Sequence, residues 1–294
     1  HYPLRRQRQM CIRDSVKSIS RNQMSRILTR ADLINFDCNV LNIDPSLWTC
    51  IIPAAGKGTR LGYEFPKILY PVLGQTILQH LINLFYELCS NFIVIVSPEG
   101  EHRIQRELES CYNLKDFKIV IQDEPIGMAH AVWQAKNIVK TIHTAIVWGD
   151  QICLRPNTLS STFAFHQRDS QNVITFPTVM KKSPYIHIHR DINGKILKVL
   201  QKRENEIKIK VGENDCGFFC FSTNSLFYVL KNKLDSLEIL GSKTNEINLL
   251  QLFPQFEMIE GHVNTLRIAQ EDETLGINTV EEALNAELIL RNRN

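Results

Sequence analysis

Gly56, Lys57, Gly58, Thr59, Arg60 and Lys67 have the types and spacing needed to hold a polyphosphate. They lie in the string IIPAAGKGTRLGYEFPKILYPVLG, Ile51 to Gly74, just after a short apolar run. Ala54, Ala55, Gly56 and Gly58 carry little or no side chain, so a ligand can approach the backbone closely and the two glycines can take positive φ. Successive backbone N–H groups then face an anion. Thr59 adds a hydroxyl donor, and Arg60 and Lys67 add two fixed positive charges. The loop is neither a Walker loop, which needs four residues between its glycines and then Lys-Ser/Thr, nor a dinucleotide fingerprint. A second chemical group stands further on, where Val147-Trp148-Gly149-Asp150 puts a carboxylate at the C-terminal tip of an apolar run. Open α/β sheets bind their ligands at such tips. A carboxylate there suits Mg2+, a hard cation that takes oxygen donors and completes its shell with phosphates and water.

Gly-Lys-Gly alone would mark an ordinary turn; the inference rests on the longer string. AAGKGTRLG followed by FPKILYPVLG resembles the signature of the sugar-1-phosphate nucleotidyltransferases, the pyrophosphorylases that make nucleotide sugars. Within that family it is most similar to the uridylyltransferase domain of N-acetylglucosamine-1-phosphate uridylyltransferase, over about residues 49 to 290. The resemblance implies a Rossmann-like α/β fold of GT-A type, with a mixed, mainly parallel sheet flanked by helices. It implies transfer of a nucleoside monophosphate from an NTP, UTP first, to a sugar-1-phosphate with release of pyrophosphate. Arg60, Lys67 and Asp150 would be catalytic, and residues 54 to 59 would hold the nucleotide.

The same resemblance extends to the remaining sites. Mg2+ would sit on Asp150 and Asn278, although Asn278 precedes a helix-like run from Val280 and could equally be its cap. Gln122 and Gly127 match the segment that reads the base, a glutamine amide offering both donor and acceptor to a pyrimidine edge. Met128 replaces the usual Thr there, and His130 is left outside the catalytic set. On the acceptor side Tyr185, Lys202, Asp215 and Gly217 are the matching positions, with Asn214 an alternative to Asp215. Ile186, His187 and Gln201 depart from the pattern, Gln201 standing where the relatives place a Glu. These departures keep open a cytidylyltransferase acting on phosphocholine or another phosphorylated alcohol, a guanylyltransferase acting on the molybdenum cofactor, and a non-catalytic nucleotide sensor.

The elements that must position these groups can be read from periodicity. Apolar runs at 48–54, 92–97, 117–122 and 144–148 alternate with helical patterns at 76–88 and 128–140, which predicts a parallel sheet covered by helices. Ile77, Leu81, Leu84, Phe85 and Leu88 form one stripe in the first of those helices, a core face. The second half is richer in strands, at 172–179, 185–190 and 195–201, with Asn193-Gly194 as a hairpin turn, and is expected to form the sugar side. The domain is expected to span 48–294, preceded by an extension over 16–47 that includes a helix near Ser25 to Asn35. Residues 1–15 contain RRQRQMCIRD, which is similar to a translated sequencing-adaptor read, and are set aside as non-native; a basic arm is the alternative.

Composition narrows the partners. With 294 residues, 44% of them hydrophobic, the chain can bury a large core. A net charge of +3 does not argue for nucleic acid or an anionic membrane, and suggests instead a local anion site for an NTP and a phosphorylated small molecule. Eight cysteines without a CxxC pair fit reduced thiols in a cytoplasmic protein, with Cys216 and Cys220 packed inside a strand-like run. No apolar stretch reaches the length of a membrane helix, and no hexapeptide repeat occurs.

Overall fold

The computed structural model describes residues 25–34, 42–56, 58–113, 116–234 and 240–293. Its strands are β1 (Ser25–Thr29), β2 (Trp48–Pro53), β3 (Pro71–Val72), β4 (Gln75–Thr76), β5 (Asn91–Val96), β6 (Phe117–Ile121), β7 (His143–Val147), β8 (Asn172–Lys182), β9 (Ile186–Arg190), β10 (Ile196–Gln201), β11 (Val211–Asp215), β12 (Phe218–Ser222) and β13 (His262–Arg267). The main sheet has the order β1-β13-β8-β12-β7-β2-β5-β6, with β11 paired to the far end of β8. Pairing is parallel at β1/β13, β13/β8, β7/β2, β2/β5 and β5/β6, and antiparallel where β12 and β11 meet their neighbours. The expected mixed, mainly parallel sheet flanked by helices is therefore present.

Its central strands are apolar on both faces because both faces are covered. Every residue of β2 is buried: Trp48, Cys50 and Ile52 point into one core, and Ile51 joins Ile93, Ile95 and Ile146 in the other. The helix Ile77–Phe85 covers the first face with Ile77, Leu78, Leu81, Ile82 and Phe85, while Leu84 and Leu88 stay half-buried. Thr76 starts that helix through a capping box with Gln79. Met128–Gln134 covers the second face with Ala129, Ala131 and Val132, shorter than the expected 128–140 because i→i+3 turns take over at Ala135. Buried Cys216 and Cys220 pack as small apolar groups, as expected. Among the described residues no helix is long and apolar enough to cross a membrane.

The sheet changes winding direction at β2. The chain leaves β2 for β5 on one side, then returns from β6 to β7 on the other, so the loops after β2 and β7 diverge and open a crevice. The second half supplies the crevice's outer wall, where the β9/β10 hairpin turns at Asn193 and Gly194 as expected. Asp191 holds that turn by accepting from the backbone N–H of Asn193 and Lys195.

One element differs from the sequence expectation. The helix placed near Ser25 to Asn35 is a strand, β1, followed by a short helix Arg30–Ile34. Pairing with β13 in register from Ser25↔Val263 to Thr29↔Arg267 overrides the local pattern, so part of the extension is the edge of the sheet. Residues 1–15 lie outside the described residues.

Candidate active site

The crevice holds a cavity of about 550 Å³, the size of a small-molecule site. Pro53, Ala54, Gly56, Arg60 and Lys67 line it from the β2 side, and Trp148, Asp150 and Gln151 from the β7 side. Gly58 takes φ 65°, and a Cβ there would lie 2.9 Å from the Lys67 Cβ, so the loop closes on Lys67 only with glycine at this point. The Lys67 backbone N–H donates to the Gly56 carbonyl at 3.4 Å and completes the fold-back.

That fold-back delivers Lys67 to the carboxylate predicted at the end of β7. Lys67 Nζ donates to Asp150 Oδ2 at 2.7 Å and to Asn278 Oδ1 at 3.1 Å, while Arg60 Nη2 donates to the same Asn278 oxygen at 3.2 Å. Four residues scattered over more than two hundred positions thus meet at one point. The Ile277 N–H donates to the Asp150 carbonyl at 3.1 Å, tying residues 274–278 to the β7 loop. Asn278 is not the helix cap: Thr279 caps the helix Val280–Arg291, accepting from the Glu282 N–H in a capping box. The Asn278 side chain is therefore available to the site. Two neutral or anionic oxygens turned on one ammonium are also the donor set a hard divalent cation takes, so Asp150 and Asn278 fit Mg2+.

The acceptor wall comes from β8 to β11. Asn214 is fully committed: its Oδ1 accepts from the N–H groups of Tyr185 and Ile186 at 3.0 Å each, and its Nδ2 donates to the Asp215 carbonyl. Asp215 keeps an oxygen to offer. Its Oδ1 accepts from the Gly217 N–H at 2.6 Å, while Oδ2, buried against the cavity, has no partner among the described residues. Burial pushes the Asp215 carboxyl up from 3.8 to about 6. Gln201 Nε2, Asn248 Nδ2 and Gln151 Oε1 are likewise buried, without a partner among the described residues, and on residues that line the cavity. A wall with free donors and free acceptors suits a ligand rich in hydroxyls.

A raised carboxyl carries a testable cost. The Asp215 contribution favours the folded state below 3.8, where the group is protonated both folded and unfolded, and is lost as pH rises through about 6. Replacing it with Asn should therefore stabilise the protein at pH 8, by up to roughly 3 kcal/mol. The gain should shrink to nothing as pH falls toward 4, measured by thermal melts across that range. A destabilised Asp215→Asn protein at pH 8 would contradict the burial penalty.

Other expected positions lie elsewhere. Tyr185 lines the cavity, but Lys202 does not: a 3-10 turn over Lys202–Glu204 directs Gln201 and Arg203 to the cavity and leaves Lys202 exposed. Gly217 acts through its backbone N–H on Asp215 and does not line the cavity itself. Ala55, Gly58 and Thr59 also stand outside the cavity wall, and Lys57 lies outside the described residues. Gln122 and Gly127 do not line the cavity either; Gln122 Nε2 donates to the Gly127 carbonyl at 3.2 Å and so holds the turn that presents Met128 to it. His130 is engaged with Gln122 and Gln134, consistent with its place outside the catalytic set. Lys181, Gln151, Arg203 and Asn248 also line the cavity, and no motif in the sequence marks them.

The crevice thus lies at the switch point of an open α/β sheet, with a glycine-rich loop on one side and a carboxylate on the other, the place where such sheets bind ligands. Residues 50–210 match the MobA-like NTP transferase domain, and the chain belongs to that family. The bifunctional protein GlmU of Bacillus mycoides (strain KBAB4) is 30% identical over 251 residues, covering 83% of this chain and 52% of the relative. GlmU of Bacillus cytotoxicus is 28% identical over 250 residues with the same coverage. The chain spans about half the length of these curated relatives. Among solved structures, a UDP-glucose pyrophosphorylase complexed with UDP-glucose superposes with a TM-score of 0.63 at 16% identity, covering 84% of this chain and 100% of that one. A putative glucose-1-phosphate thymidylyltransferase from Bacillus anthracis gives 0.63 at 18% identity, covering 84% and 96%. The family resemblance read from the glycine-rich loop is borne out.

Proposed function

We propose that this chain transfers a nucleoside monophosphate from an NTP, UTP first, to a sugar-1-phosphate and releases pyrophosphate. The observation that carries this is the meeting of Arg60, Lys67, Asp150 and Asn278 at the mouth of the glycine-rich loop. A phosphomonoester oxygen is already anionic, so no general base is needed, and positioning with charge neutralisation can supply the rate. One acceptor oxygen forms a bond to the α-phosphorus while the bond from that phosphorus to the α–β bridging oxygen breaks. The electron pair leaves on pyrophosphate. Arg60 would steady the departing group, and Lys67, released from Asp150, would turn to the α-phosphate. Asp150 and Asn278 would hold Mg2+, which when bound neutralises phosphate charge. The Asp215 carboxylate and the unpartnered Gln201 amide would take acceptor hydroxyls. Buried cysteines fit a cytoplasmic enzyme.

Lys67 and a divalent cation would seek the same two oxygens. Free Mn2+, as a Mg2+ probe, should therefore bind the nucleotide-free protein weakly and bind Lys67→Met roughly tenfold more tightly, as read by paramagnetic resonance titration. Equal affinities would remove Lys67 as the resident cation.

The function itself is tested by pyrophosphate release from UTP, CTP, GTP, ATP and dTTP, each paired with sugar-1-phosphates and with phosphocholine. Release should be greatest with UTP and a sugar-1-phosphate. Met128 on the cavity wall, in place of a hydroxyl, is the feature that favours another base if CTP or GTP is used instead. Nucleotide binding without release under any pairing would turn the chain into a sensor.

A further inference from the structure

The charges around the cavity do not all balance against one another. Asp150 is matched by Lys67 at 2.7 Å. Arg203 is matched by Glu246 at 3.0 Å and by Glu204 at 3.6 Å. Glu282 is occupied at the helix start, where it accepts from the N–H groups of Asn278 and Thr279. Among the described residues, two cations on the wall are left with neutral partners alone. Arg60 donates to the amide oxygen of Asn278, and Lys181 Nζ donates to the hydroxyl of Thr274. Thr274 in turn donates its proton to the Glu271 carbonyl, so Lys181 has only a lone pair to bind. The Asp215 carboxylate lies on the same wall but forms no ion pair with Lys181, and a half-buried ammonium without an ion-pair partner among the described residues is costly unless an anion arrives there.

The two cations reach the site from different elements and bond to the two ends of the segment 274–278. Arg60 follows the glycine-rich loop and is thus on the nucleotide side. Lys181 projects from β8, beside the β11 strand that ends in Asp215, and is pinned to the 274–278 segment that also holds Asp150 and Asn278. An anion on Lys181 would lie between the acceptor wall and the metal donors, where a nucleophilic phosphate has to be. Lys202, the lysine that the sequence pattern suggests for this task, is exposed and off the cavity.

We propose that Lys181 is the anchor for the acceptor's phosphate: it binds the phosphomonoester dianion and turns one of its oxygens toward the α-phosphorus. This assignment rests on the nucleotidyl-transfer function above. The ammonium supplies charge-assisted hydrogen bonds, and the Thr274 hydroxyl fixes the direction of its side chain.

Matched ligands with and without the phosphate isolate this role. Glucose-1-phosphate, glucose and inorganic phosphate are titrated calorimetrically into wild type, Lys181→Met, Lys181→Arg and Lys202→Met, each in the presence of a non-hydrolysable UTP analogue. Wild type should bind glucose-1-phosphate and inorganic phosphate in preference to glucose. Lys181→Met should weaken both phosphates about 10- to 100-fold and leave glucose unchanged, Lys181→Arg should restore part of the loss, and Lys202→Met should match wild type. In turnover assays Lys181→Met should raise KM for the acceptor while KM for the triphosphate stays within about twofold. Should the Met protein fail to fold, Lys181→Gln, which can still bond Thr274, carries the same expectation. Phosphate affinity unchanged in these variants, or a loss that falls on the triphosphate instead, would overturn the assignment. The two levels separate cleanly: a wild type that binds the phosphates through Lys181 yet releases no pyrophosphate fails the transfer function, whereas an active enzyme with an unaltered acceptor KM in Lys181→Met fails the anchor alone.

Discussion

Asp150→Asn is expected to lower pyrophosphate release by about a thousandfold or more while leaving the fold intact. Among the described residues that line the cavity, Asp150 is the carboxylate in direct contact with Lys67, and its oxygen shares that ammonium with Asn278. Removing one preorganised charged group from such a site costs about 10²–10³ in turnover, and here the loss also falls on the metal donor set. Stability should change little. The amide oxygen of Asn can still accept from Lys67, the Ile277 N–H bonds to the backbone carbonyl and not to the side chain, and the Lys67–Asp150 pair is partly open to water. The measurement is initial-rate pyrophosphate release at saturating Mg2+, alongside a thermal melt. A folded Asp150→Asn protein with near-wild-type turnover would remove Asp150 from the chemistry.

Gly127→Ala should do the opposite, striking the fold first. Gly127 adopts φ 124° and ψ 173°, a region open essentially to glycine. A Cβ there would lie 2.5 Å from both the N and the O of Ile247. Those two atoms join the Gly127 turn to the chain at Ile247, since Ile247 N–H donates to the Ile126 carbonyl at 2.7 Å and the Ala129 N–H donates to the Ile247 carbonyl at 3.0 Å. A methyl group would part both bonds and move Met128 off the cavity wall. Backbone strain and overpacking together cost roughly 3 kcal/mol or more, which for a domain of this size lowers the melting temperature by roughly 6–12 °C. Nucleotide affinity should fall with it. A melting temperature within about 2 °C of wild type would show that the turn has slack.

What the sequence revealed, and what it did not, divides along physical lines. The loop from Ala54 to Lys67 and the carboxylate at Asp150 are legible because each follows a largely apolar, fully buried strand, and open α/β sheets bind their ligands at the C-terminal ends of such strands. Position alone makes Asn278 either cap or ligand, but Thr279 with Glu282 three positions later spells a capping box that assigns the cap to Thr279. The strand β1 is not legible locally, because its five residues, SRILT, carry too little periodicity and the edge of β13 decides their state. The acceptor wall was hardest. Gln201 and Arg203 reach the cavity while Lys202 between them is exposed, and the 3-10 turn that begins at Lys202 carries no sequence signal that would say which of the three faces the ligand. In the pair Lys181-Lys182 nothing local distinguishes the residue that reaches Thr274 from the one that does not. Pairing partners distant in sequence, β11 and residues 274–278, make that choice.

The most direct test of the central claim is ³¹P NMR of the purified chain mixed with UTP, Mg2+ and a sugar-1-phosphate, followed over time. Nucleotidyl transfer predicts that the triphosphate and phosphomonoester signals fall together, while free pyrophosphate and a new pair of coupled signals from a sugar–phosphate–phosphate–nucleoside linkage grow in equal amounts. Inorganic phosphate growing from the triphosphate with the sugar-1-phosphate signal unchanged would mean hydrolysis without transfer and would contradict the function proposed for this site.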